Sequence, residues 1–549
     1  MTEKPFCWNP PAQYNFARDC IANLALERGS HRALLWIDEK GTVADFSFRE
    51  IDARAQRAAA VLQSVGVRRG DTVLILLGRE SEWWELMLGC MRLGAIASPG
   101  TVQLMAKDIR YRISAAGASC IVAGSDIAVR VDEALNELNK TSVSKVFLDG
   151  HREGWVNYGA TFNKASPLSE CADTSFDEPA LCYFTSGTTG QPKMTMHGAG
   201  YALAHEITGR YWLDLGPDDL MWNLSDTGWA KAAWSSLFAP WLCGAAIMAY
   251  HSASFNPDAV LDLLRRYPVT TLCAPPTAYR MFVRSDLSDF QASTLRHCVS
   301  AGEPLNPEVI ELWRNVTGLT VNDGYGQTET IVLCCNRPGA SRQGAMGKPV
   351  PCIELAIVDE GGNRLAADEE GDVAVRVAEE RPPGLFLGYR DDPERTASVF
   401  RNGWYLTGDR ASMDSDGFFW FVGRGDDVIL TSGYRIGPFE VESALFEHPA
   451  VGESAVVASP DPTRGEVVKA FVVLALGHVP SDELIKVLQD HVKSTTAPYK
   501  YPRKIEFVES LPKTVSGKIK RKELRDAEWQ RIEAKDSDAS QAGRGISNA

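Results

Sequence analysis

Residues 183–193 read YFTSGTTGQPK, a run of small hydroxyl residues and glycines that ends in proline and lysine. Such residues let backbone N–H groups turn toward an anion, so the stretch predicts a phosphate-binding loop. It is not a P-loop, because that pattern places Gly-Lys-Ser/Thr five residues after its first glycine. Counted from Gly187, those positions hold Pro192, Lys193 and Met194. An ordinary surface loop has a similar composition, so the motif alone leaves both interpretations open.

The bulk composition is typical of a globular protein with several domains. A chain of 549 residues, 44% of them apolar and 23% charged, is too long for one domain and needs no disulfides to build a core. The net charge of −14 argues against nucleic-acid binding, whose footprint is basic. The twelve cysteines form no C-x-x-C motif, which argues against a zinc ribbon or a thioredoxin-like site. Because disulfide-like spacing and a secretory signal are both absent, the sequence predicts a cytoplasmic location.

Residues 232–250 form the longest uncharged stretch of the chain and are nearly long enough to span a membrane. The stretch contains Ser235, Ser236, Pro240 and Gly244, and it is better interpreted as buried protein. We therefore expect a buried helix and strand here, and no integral membrane segment.

The chain alternates between helical and strand-like patterns in its first 350 residues. Residues 51–66 show helical spacing that ends at a glycine, and DTVLILLG, which follows at 71–78, is strand-like. Repeated units of this kind predict parallel sheets covered by helices. Strand-like stretches joined by turns follow to about residue 437, and a compact α+β unit begins at 438. The last residues are small and polar, which is typical of disorder.

Five further motifs carry glycines, carboxylates or cations at long spacing. These motifs also have purely structural interpretations. DGYGQTE could form a tight turn, Asp409 could be an aspartate in a turn, and the basic run around Lys518 could be a solvated surface. In favour of function, Tyr325 offers a flat face, and an acidic residue such as Asp409 accepts the hydroxyls of a ribose in other nucleotide sites. The motifs are SAGEPL (300–305), DGYGQTE (323–329), WYLTGD (404–409), GRGDDVILTSGYRIGPFEVE (423–442) and LPKTVSGKIKRKELR (511–525).

Together, in this order, the six motifs resemble those of the adenylate-forming superfamily, which includes acyl-CoA synthetases, luciferases and peptide-synthetase adenylation domains. The resemblance extends to about residue 526 and is closest to the medium-chain acyl-CoA synthetases. Stretches that look like this subfamily are YNFARD, PGTVQL, DIRYR, SDTGW, FLGYRDDPERTA and HPAVGESAVVASPDPTRGEVVKAFVV.

The resemblance implies an α/β fold with a large N-terminal domain of helix-covered sheets and a β-rich subdomain, followed by a small mobile C-terminal α+β domain. The implied boundaries are 1–425 for the AMP-binding domain, 426–526 for the C-terminal domain and 527–549 for a disordered tail. The implied ligands are ATP, Mg²⁺, CoA and a carboxylic acid.

The resemblance also implies roles for individual residues. Lys518, Thr328 and Glu329 would be catalytic, with Glu329 also at the metal, and Asp426 would be the hinge. Trp229 would line the acyl pocket, and the segment around Gly433, Tyr434 and Arg435 would serve the thiol. The residues implied to bind the nucleotide are Thr185, Ser186, Gly187, Thr188, Thr189, Gly190, Lys193, Gly302, Glu303, Pro304, Asp323, Gly324, Tyr325, Thr328, Asp409, Arg424 and Lys518.

The implied reaction has two steps. A carboxylate attacks the α-phosphorus of ATP to give an acyl-adenylate and pyrophosphate, and the thiol of CoA then displaces AMP. No side-chain nucleophile is needed, which agrees with the absence of a G-x-S-x-G motif. The expected acid is a medium-chain fatty acid or a small aryl acid. Two alternatives stay open: transfer of the acyl group to a carrier protein, and a non-catalytic nucleotide sensor that keeps the fold.

Overall fold

The computed structural model describes residues 9–138, 142–185, 191–377, 381–382, 384–431, 434–461, 464–514 and 518–544, with backbone alone for 434–435, 533 and 535–544. Helices cover two large sheets and part of a small C-terminal one. The α-helices are Asn23–Glu27, Phe48–Ser64, Glu82–Leu93, Ala106–Ala115, Ser125–Leu138, Tyr158–Lys164, Gly200–Ile207, Ala230–Ala233, Ala239–Leu242, Pro257–Arg266, Pro276–Phe282, Pro307–Thr317, Pro393–Ser398, Pro438–Phe446, Asp482–Thr495 and Arg521–Arg544. Wider turns occupy Ala17–Ala22, Thr208–Trp212 and Trp234–Phe238, and a 3₁₀ turn occupies Pro498–Lys500.

The first large sheet has nine strands in the described residues, and its central strands are parallel. Antiparallel strands form both of its edges. In spatial order the strands are Lys348–Pro349, Val332–Cys335, Val321–Gly326, His297–Ala301, Thr271–Cys273, Leu220–Asn223, Ala246–His251, Arg32–Asp38 and Val43–Ser47.

The second large sheet has eight described strands and the same mixed character. The strand that leads into the YFTSGTTGQPK loop and the strand that leaves it are antiparallel neighbours at one side of this sheet. In spatial order the strands are Gly388–Tyr389, Lys193–Gly198, Pro179–Thr185, Ile96–Gly100, Thr72–Leu76, Cys120–Ala123, Ser144–Phe147 and Val156–Asn157.

Two helices that the sequence predicts lie between these sheets. The helix Phe48–Ser64 begins with a capping box, in which Ser47 and Glu50 bond each other's backbone N–H groups. The helix Glu82–Leu93 ends at Gly94, whose φ of 68° is left-handed and suits glycine. Their buried side chains form one hydrophobic core with residues of both sheets.

An antiparallel sheet follows the two large ones. Its strands are Leu355–Val358, Gly371–Arg376, Trp404–Met413 and Phe400–Arg401, with Phe419–Arg424 paired to the longest of them. The C-terminal sheet is separate in sequence and comprises Tyr434–Ile436, Ile429–Thr431, Gly465–Leu474, Val451–Asp461 and Lys504–Phe507. With its own core cluster around Val441, Val456 and Leu488, it forms a small α+β unit. The predicted fold class is therefore confirmed.

Residues 232–250 form helical turns and the buried strand Ala246–His251, as the sequence predicts. Trp234, Phe238 and Trp241 are almost fully buried in protein. Among the helices of the described residues, none is both long enough and apolar enough to cross a membrane.

The prediction of a disordered tail from residue 527 is wrong for 527–544, because an α-helix covers Arg521–Arg544. The physical reason is a buried contact near its start. Glu528 is 2% exposed and accepts hydrogen bonds from Ser459 at 2.7 Å and from Lys469 at 2.7 Å. This pair ties the helix to the C-terminal sheet. Residues 545–549 lie outside the described part of the chain.

Candidate active site

A cavity of about 1080 Å³ lies where four parts of the fold meet. Its walls come from the ends of the strands His297–Ala301 and Val321–Gly326, from the antiparallel sheet and from the C-terminal unit. The carboxyl ends of neighbouring parallel strands are a common place for a ligand site in α/β folds. The arrangement makes this cavity the candidate active site.

Most of the site residues inferred from sequence line this one cavity. Those that do are Thr185, Lys193, Gly302, Glu303, Pro304, Asp323, Gly324, Tyr325, Thr328, Glu329, Asp409, Arg424, Asp426 and Lys518. Trp229 is not among the lining residues. Ser186, Gly187, Thr188, Thr189, Gly190 and Gly433 lie outside the described residues, and Tyr434 and Arg435 are described by backbone alone, in the strand Tyr434–Ile436.

Asp409 is buried and oriented by two neighbours from the DGYGQTE motif. Its Oδ2 accepts hydrogen bonds from the Tyr325 hydroxyl at 2.6 Å and from the Gln327 amide at 2.7 Å. Gln327 also donates to the Thr407 carbonyl at 2.9 Å, so its own position is fixed. These bonds hold the carboxylate in one orientation before any ligand arrives.

Arg424 faces Asp409 across the strand pair Trp404–Met413 and Phe419–Arg424, where the two residues are direct partners. The guanidinium Nε lies 3.8 Å from Oδ1 of Asp409 and 3.5 Å from Oδ1 of Asp426. Burial raises the pKa of Asp409, and the charge of Arg424 opposes that shift. Neighbouring strands thus place a cation beside a buried carboxylate.

Gly302 allows Lys518 to approach the backbone of the 300–305 motif. Its φ of 110° is left-handed, and a Cβ at this position would lie 3.7 Å from Cε of Lys518. Any L-residue here would be strained, because L side chains rarely adopt this backbone conformation. The backbone of the 300–305 motif therefore requires a glycine at 302, next to the Lys518 side chain.

Lys518 is exposed to the solvent in the cavity, yet protein surrounds the cavity on several sides. This enclosure lowers the pKa of Lys518. Glu303 and Asp409 oppose the shift, while Lys231 and Arg424 add to it. The ammonium thus lies among charges of both signs in a cavity that is partly shielded from water.

Direct contacts hold the C-terminal unit in this position. Asn306 donates to the Ser443 hydroxyl at 3.1 Å, and Arg284 donates to the Gly452 carbonyl at 2.7 Å. Arg525 donates to the Asp426 carbonyl beside the start of the unit. These contacts keep Lys518 in the cavity together with Asp409 and Glu329.

Glu329 is 9% exposed and its carboxylate is held by a residue from another sheet. The Tyr389 hydroxyl donates to Oε1 of Glu329 at 2.8 Å. The backbone is also fixed, because the Phe386 N–H donates to the Glu329 carbonyl at 2.8 Å. Burial raises the pKa of Tyr389, so its hydroxyl remains a donor.

A buried histidine hydrogen-bonds the backbone next to Glu329. His197 bonds the Thr328 carbonyl through Nε2 at 2.8 Å, and because a carbonyl only accepts, Nε2 carries the hydrogen. Burial lowers the pKa of His197 to about 3, so the ring is neutral at physiological pH. The His197 ring stacks on Tyr201 at 3.7 Å between centroids.

The site is better suited to Mg²⁺ that binds together with a nucleotide than to a metal ion bound by protein side chains alone. In the described residues, no group of three or more His, Cys, Asp or Glu side chains could hold a metal ion. Mg²⁺ commonly binds through one or two carboxylates, water and the phosphates of its substrate. Glu329, with one oxygen bonded to Tyr389, is a carboxylate of this kind.

The profile described as "AMP-binding enzyme" matches residues 23–390, and the one described as "AMP-binding enzyme C-terminal domain" matches residues 440–518. The first match covers well over half of the chain. The chain belongs to the AMP-binding enzyme family. Its two matched parts meet at the cavity described above.

Relatives of this AMP-binding enzyme include acyl-CoA synthetases from mammals. The acyl-coenzyme A synthetase ACSM4, mitochondrial, of Mus musculus is 50% identical, with 96% of this chain and 92% of the relative covered. The acyl-coenzyme A synthetase ACSM3, mitochondrial, of Homo sapiens is 48% identical over 95% of this chain and 91% of the relative.

Solved structures of similar architecture include CoA ligases. An anthranilate CoA ligase in complex with anthranoyl-AMP superposes with a TM-score of 0.87 at 31% identity, covering 95% of this chain and 99% of that one. A benzoate CoA ligase from Burkholderia xenovorans LB400 gives 0.83 at 27% identity, covering 93% and 100%.

This AMP-binding enzyme is therefore an AMP-forming acyl-CoA synthetase. It joins a carboxylic acid to CoA with ATP and Mg²⁺ through an acyl-adenylate, and releases AMP and pyrophosphate. The activity, the ligands and the resemblance to medium-chain enzymes that the sequence predicts are confirmed.

The prediction of a cytoplasmic location is wrong. It relied on scattered cysteines and the lack of a secretory signal, but the relatives that match almost the whole chain are named mitochondrial. Cysteine spacing reports a reducing compartment and does not distinguish between two such compartments.

The sequence reasoning missed Gln327, Tyr389 and His197. Gln327 lies inside the DGYGQTE motif, between Tyr325 and Thr328, and Tyr389 lies in the stretch FLGYRDDPERTA. A signal for both was therefore present. His197 follows the phosphate-binding loop without any pattern, and its contact with Thr328 spans 131 residues.

Proposed function

We propose that this acyl-CoA synthetase activates a monocarboxylic acid with an apolar body, either a medium-length fatty acid or a small aryl acid. The acid is supported by the names of the similar structures, which include anthranilate and benzoate ligases. The observation that carries the chemistry is the convergence of Lys518, Asp409 and Glu329 on one cavity.

Apolar side chains close to the cavity support this choice of acid. Trp212 and Trp234 fill the space beside the backbone of Gly324 and Gly326, where a Cβ would lie 2.5 Å and 2.9 Å from their rings. Both tryptophans are buried. Because burying an unpaired charge is costly, such surroundings disfavour amino acids and dicarboxylates. In this proposal Trp229 adds to the wall of the acyl pocket.

The proposal also assigns a role to each of the other site residues. Asp409 and Arg424 bind the ribose, Gly302, Glu303, Pro304 and Tyr325 enclose the adenine, and Asp323 and Gly324 also bind the nucleotide. Thr185 to Gly190 and Lys193 bind the β- and γ-phosphates, with Thr328 near the phosphates and Glu329 at the metal. Mg²⁺ neutralises charge on the phosphates. Lys518 stabilises the negative charge that develops at the α-phosphate as the acid attacks.

We further propose that residues 1–425 and 426–526 act as two domains joined at Asp426. After adenylation, the second domain turns, Lys518 withdraws and the 433–437 segment reaches the thiol. The contacts of Asn306 and Arg284 with the C-terminal unit are then exchanged for others.

A panel of acids tests the substrate. Pyrophosphate exchange and AMP release should be fastest with hexanoate, octanoate or benzoate, and slow with amino acids or malonate. Faster exchange with an amino acid would contradict the proposal. Omitting CoA tests the acceptor: exchange should continue, while steady release of AMP should require CoA. Steady release that requires an acyl carrier protein instead would favour the carrier alternative.

A further inference from the structure

Tyr389 lies between the cation and the anion of the phosphate and metal region. On one side the Lys193 ammonium lies 4.9 Å from the centroid of the Tyr389 ring, a cation–π distance. On the other side the Tyr389 hydroxyl donates to Oε1 of Glu329 at 2.8 Å. One side chain thus contacts both charged groups.

The two charged groups are close but do not pair. The charge of Glu329 acts on Lys193, where it opposes the lowering of the lysine's pKa by burial. Even so, no ion pair within 4.0 Å joins Lys193 and Glu329, although the structure describes both side chains. A direct Lys–Glu pair would satisfy each group with the other and leave less charge for a ligand.

Tyr389 is held firmly enough to keep this separation. It is 6% exposed, it pairs with Thr195 on the strand that carries Lys193, and its N–H donates to the Thr396 hydroxyl at 2.9 Å. Phe386 packs against its ring, with 5.0 Å between centroids. The ring therefore has little freedom to move away from the two charges.

We infer that Tyr389 is a positioning residue that keeps Lys193 and Glu329 apart and leaves each available to Mg²⁺-ATP. The ring holds the ammonium on its face, for the phosphates. The hydroxyl occupies Oε1 of Glu329 and so directs Oε2 to the metal. This inference rests on the proposed role of Glu329 at the metal.

Two substitutions separate the two parts of this role. Tyr389→Phe keeps the ring and removes the hydroxyl, so the Mg²⁺ concentration that gives half-maximal adenylation should rise by about 10- to 100-fold, the usual effect of losing a group that orients a metal ligand. Calorimetric affinity for ATP without Mg²⁺ should not change. Tyr389→Ala also lets Lys193 pair with Glu329, so the affinity for Mg²⁺-free ATP should fall as well.

Tyr158→Phe is the matched control. Its hydroxyl donates to a buried carboxylate in the same way, to Oε1 of Glu85 at 2.5 Å, but outside the cavity. This variant should lower the melting temperature and leave the Mg²⁺ dependence unchanged. A similar Mg²⁺ effect in Tyr158→Phe would overturn the inference, as would an unchanged Mg²⁺ dependence in folded Tyr389→Phe.

Glu329→Gln distinguishes the inference from the function on which it rests. If Tyr389 acts through Glu329, Tyr389→Phe should add almost nothing in the Glu329→Gln background. Full additivity would overturn the inference alone. Wild-type Mg²⁺ dependence in Glu329→Gln would instead overturn the proposed metal role. Binding of Mn²⁺ to the enzyme with ATP, followed by electron paramagnetic resonance, gives the same comparison without turnover.

Discussion

Lys518 is the residue whose position depends most on the arrangement of the whole active site. Thr514 and Lys518 exchange hydrogen bonds, and the Lys518 side chain lies beside Gly302 in the cavity. Glu303 and Asp409 attract its ammonium, while Lys231 and Arg424 repel it. Charged residues from several parts of the chain thus act on this one ammonium.

Lys518→Ala should reduce carboxylate-dependent pyrophosphate exchange by about two to three orders of magnitude, the usual effect of removing one preorganised charge stabiliser. Thioester formation from supplied acyl-AMP should be largely kept, because charge at the α-phosphate develops in the first step. Stopped assays of each half-reaction measure the two effects. Lys486→Ala, which removes an exposed lysine of the same unit, is the control. Equal losses in both half-reactions would show a structural role.

At the scale of the element, the helix Arg521–Arg544 depends on a buried ionic contact. Lys469 and Glu528 are 1% and 2% exposed and lie 2.7 Å apart. Burial alone raises the pKa of Glu528, but hydrogen bonds from Lys469 and Ser459 outweigh it and hold the pKa below its ordinary value. The carboxylate therefore stays ionised and anchors the helix.

Glu528→Gln should lower the free energy of unfolding of the C-terminal unit by about 3 kcal/mol, because it leaves the buried Lys469 charge without its buried partner. Glu506→Gln is a matched control, since Glu506 contacts the same ammonium at 2.6 Å but is 38% exposed, and such pairs contribute little. Hydrogen exchange of the strand Val451–Asp461 and of the helix measures the difference. Equal protection in the two variants would contradict the assignment.

At the scale of the whole molecule, a short turn connects the active site to the C-terminal unit, whose rotation we propose for the second step. The Asp427 N–H donates to the Arg424 carbonyl at 3.0 Å, so residues 424–427 form a turn between the antiparallel sheet and the C-terminal unit. The Asp426 carbonyl accepts from Arg525 of that unit. A rotation of the unit must change backbone angles in this turn, as hinges commonly lie at the ends of elements.

Asp426→Pro should slow thioester formation steeply and spare pyrophosphate exchange. Proline holds φ near −65°, and in the described residues the Asp426 N–H donates no hydrogen bond that proline would remove. Asp426→Ala, which removes the contact with Arg424 but keeps a flexible backbone, is the control. Parallel losses in both half-reactions of the folded proline variant would contradict a hinge at 426.

Residues of the cavity could be identified from the sequence wherever they belong to a short motif. Gly302, Asp409, Arg424 and Lys518 each belong to a short motif, and all four line the same cavity. The helices and strands of the sheets were also predictable from periodicity, as in Phe48–Ser64 and Thr72–Leu76. Long-range partners were not, because a pattern of a few residues carries no information about a residue far away in the chain.

The sequence by itself determined the family and the reaction, because its six motifs resemble those of the adenylate-forming enzymes. Only the tertiary structure decided which groups contact one another. Tyr389 meets Glu329 across 60 residues, and Lys469 meets Glu528 across 59. The tail around Glu528 has a composition typical of disorder, yet its helix is anchored because burial makes one charge depend on the other. The physical reason is the same in both cases: hydrogen bonds and charges act over a few ångströms in space, whatever their separation along the chain.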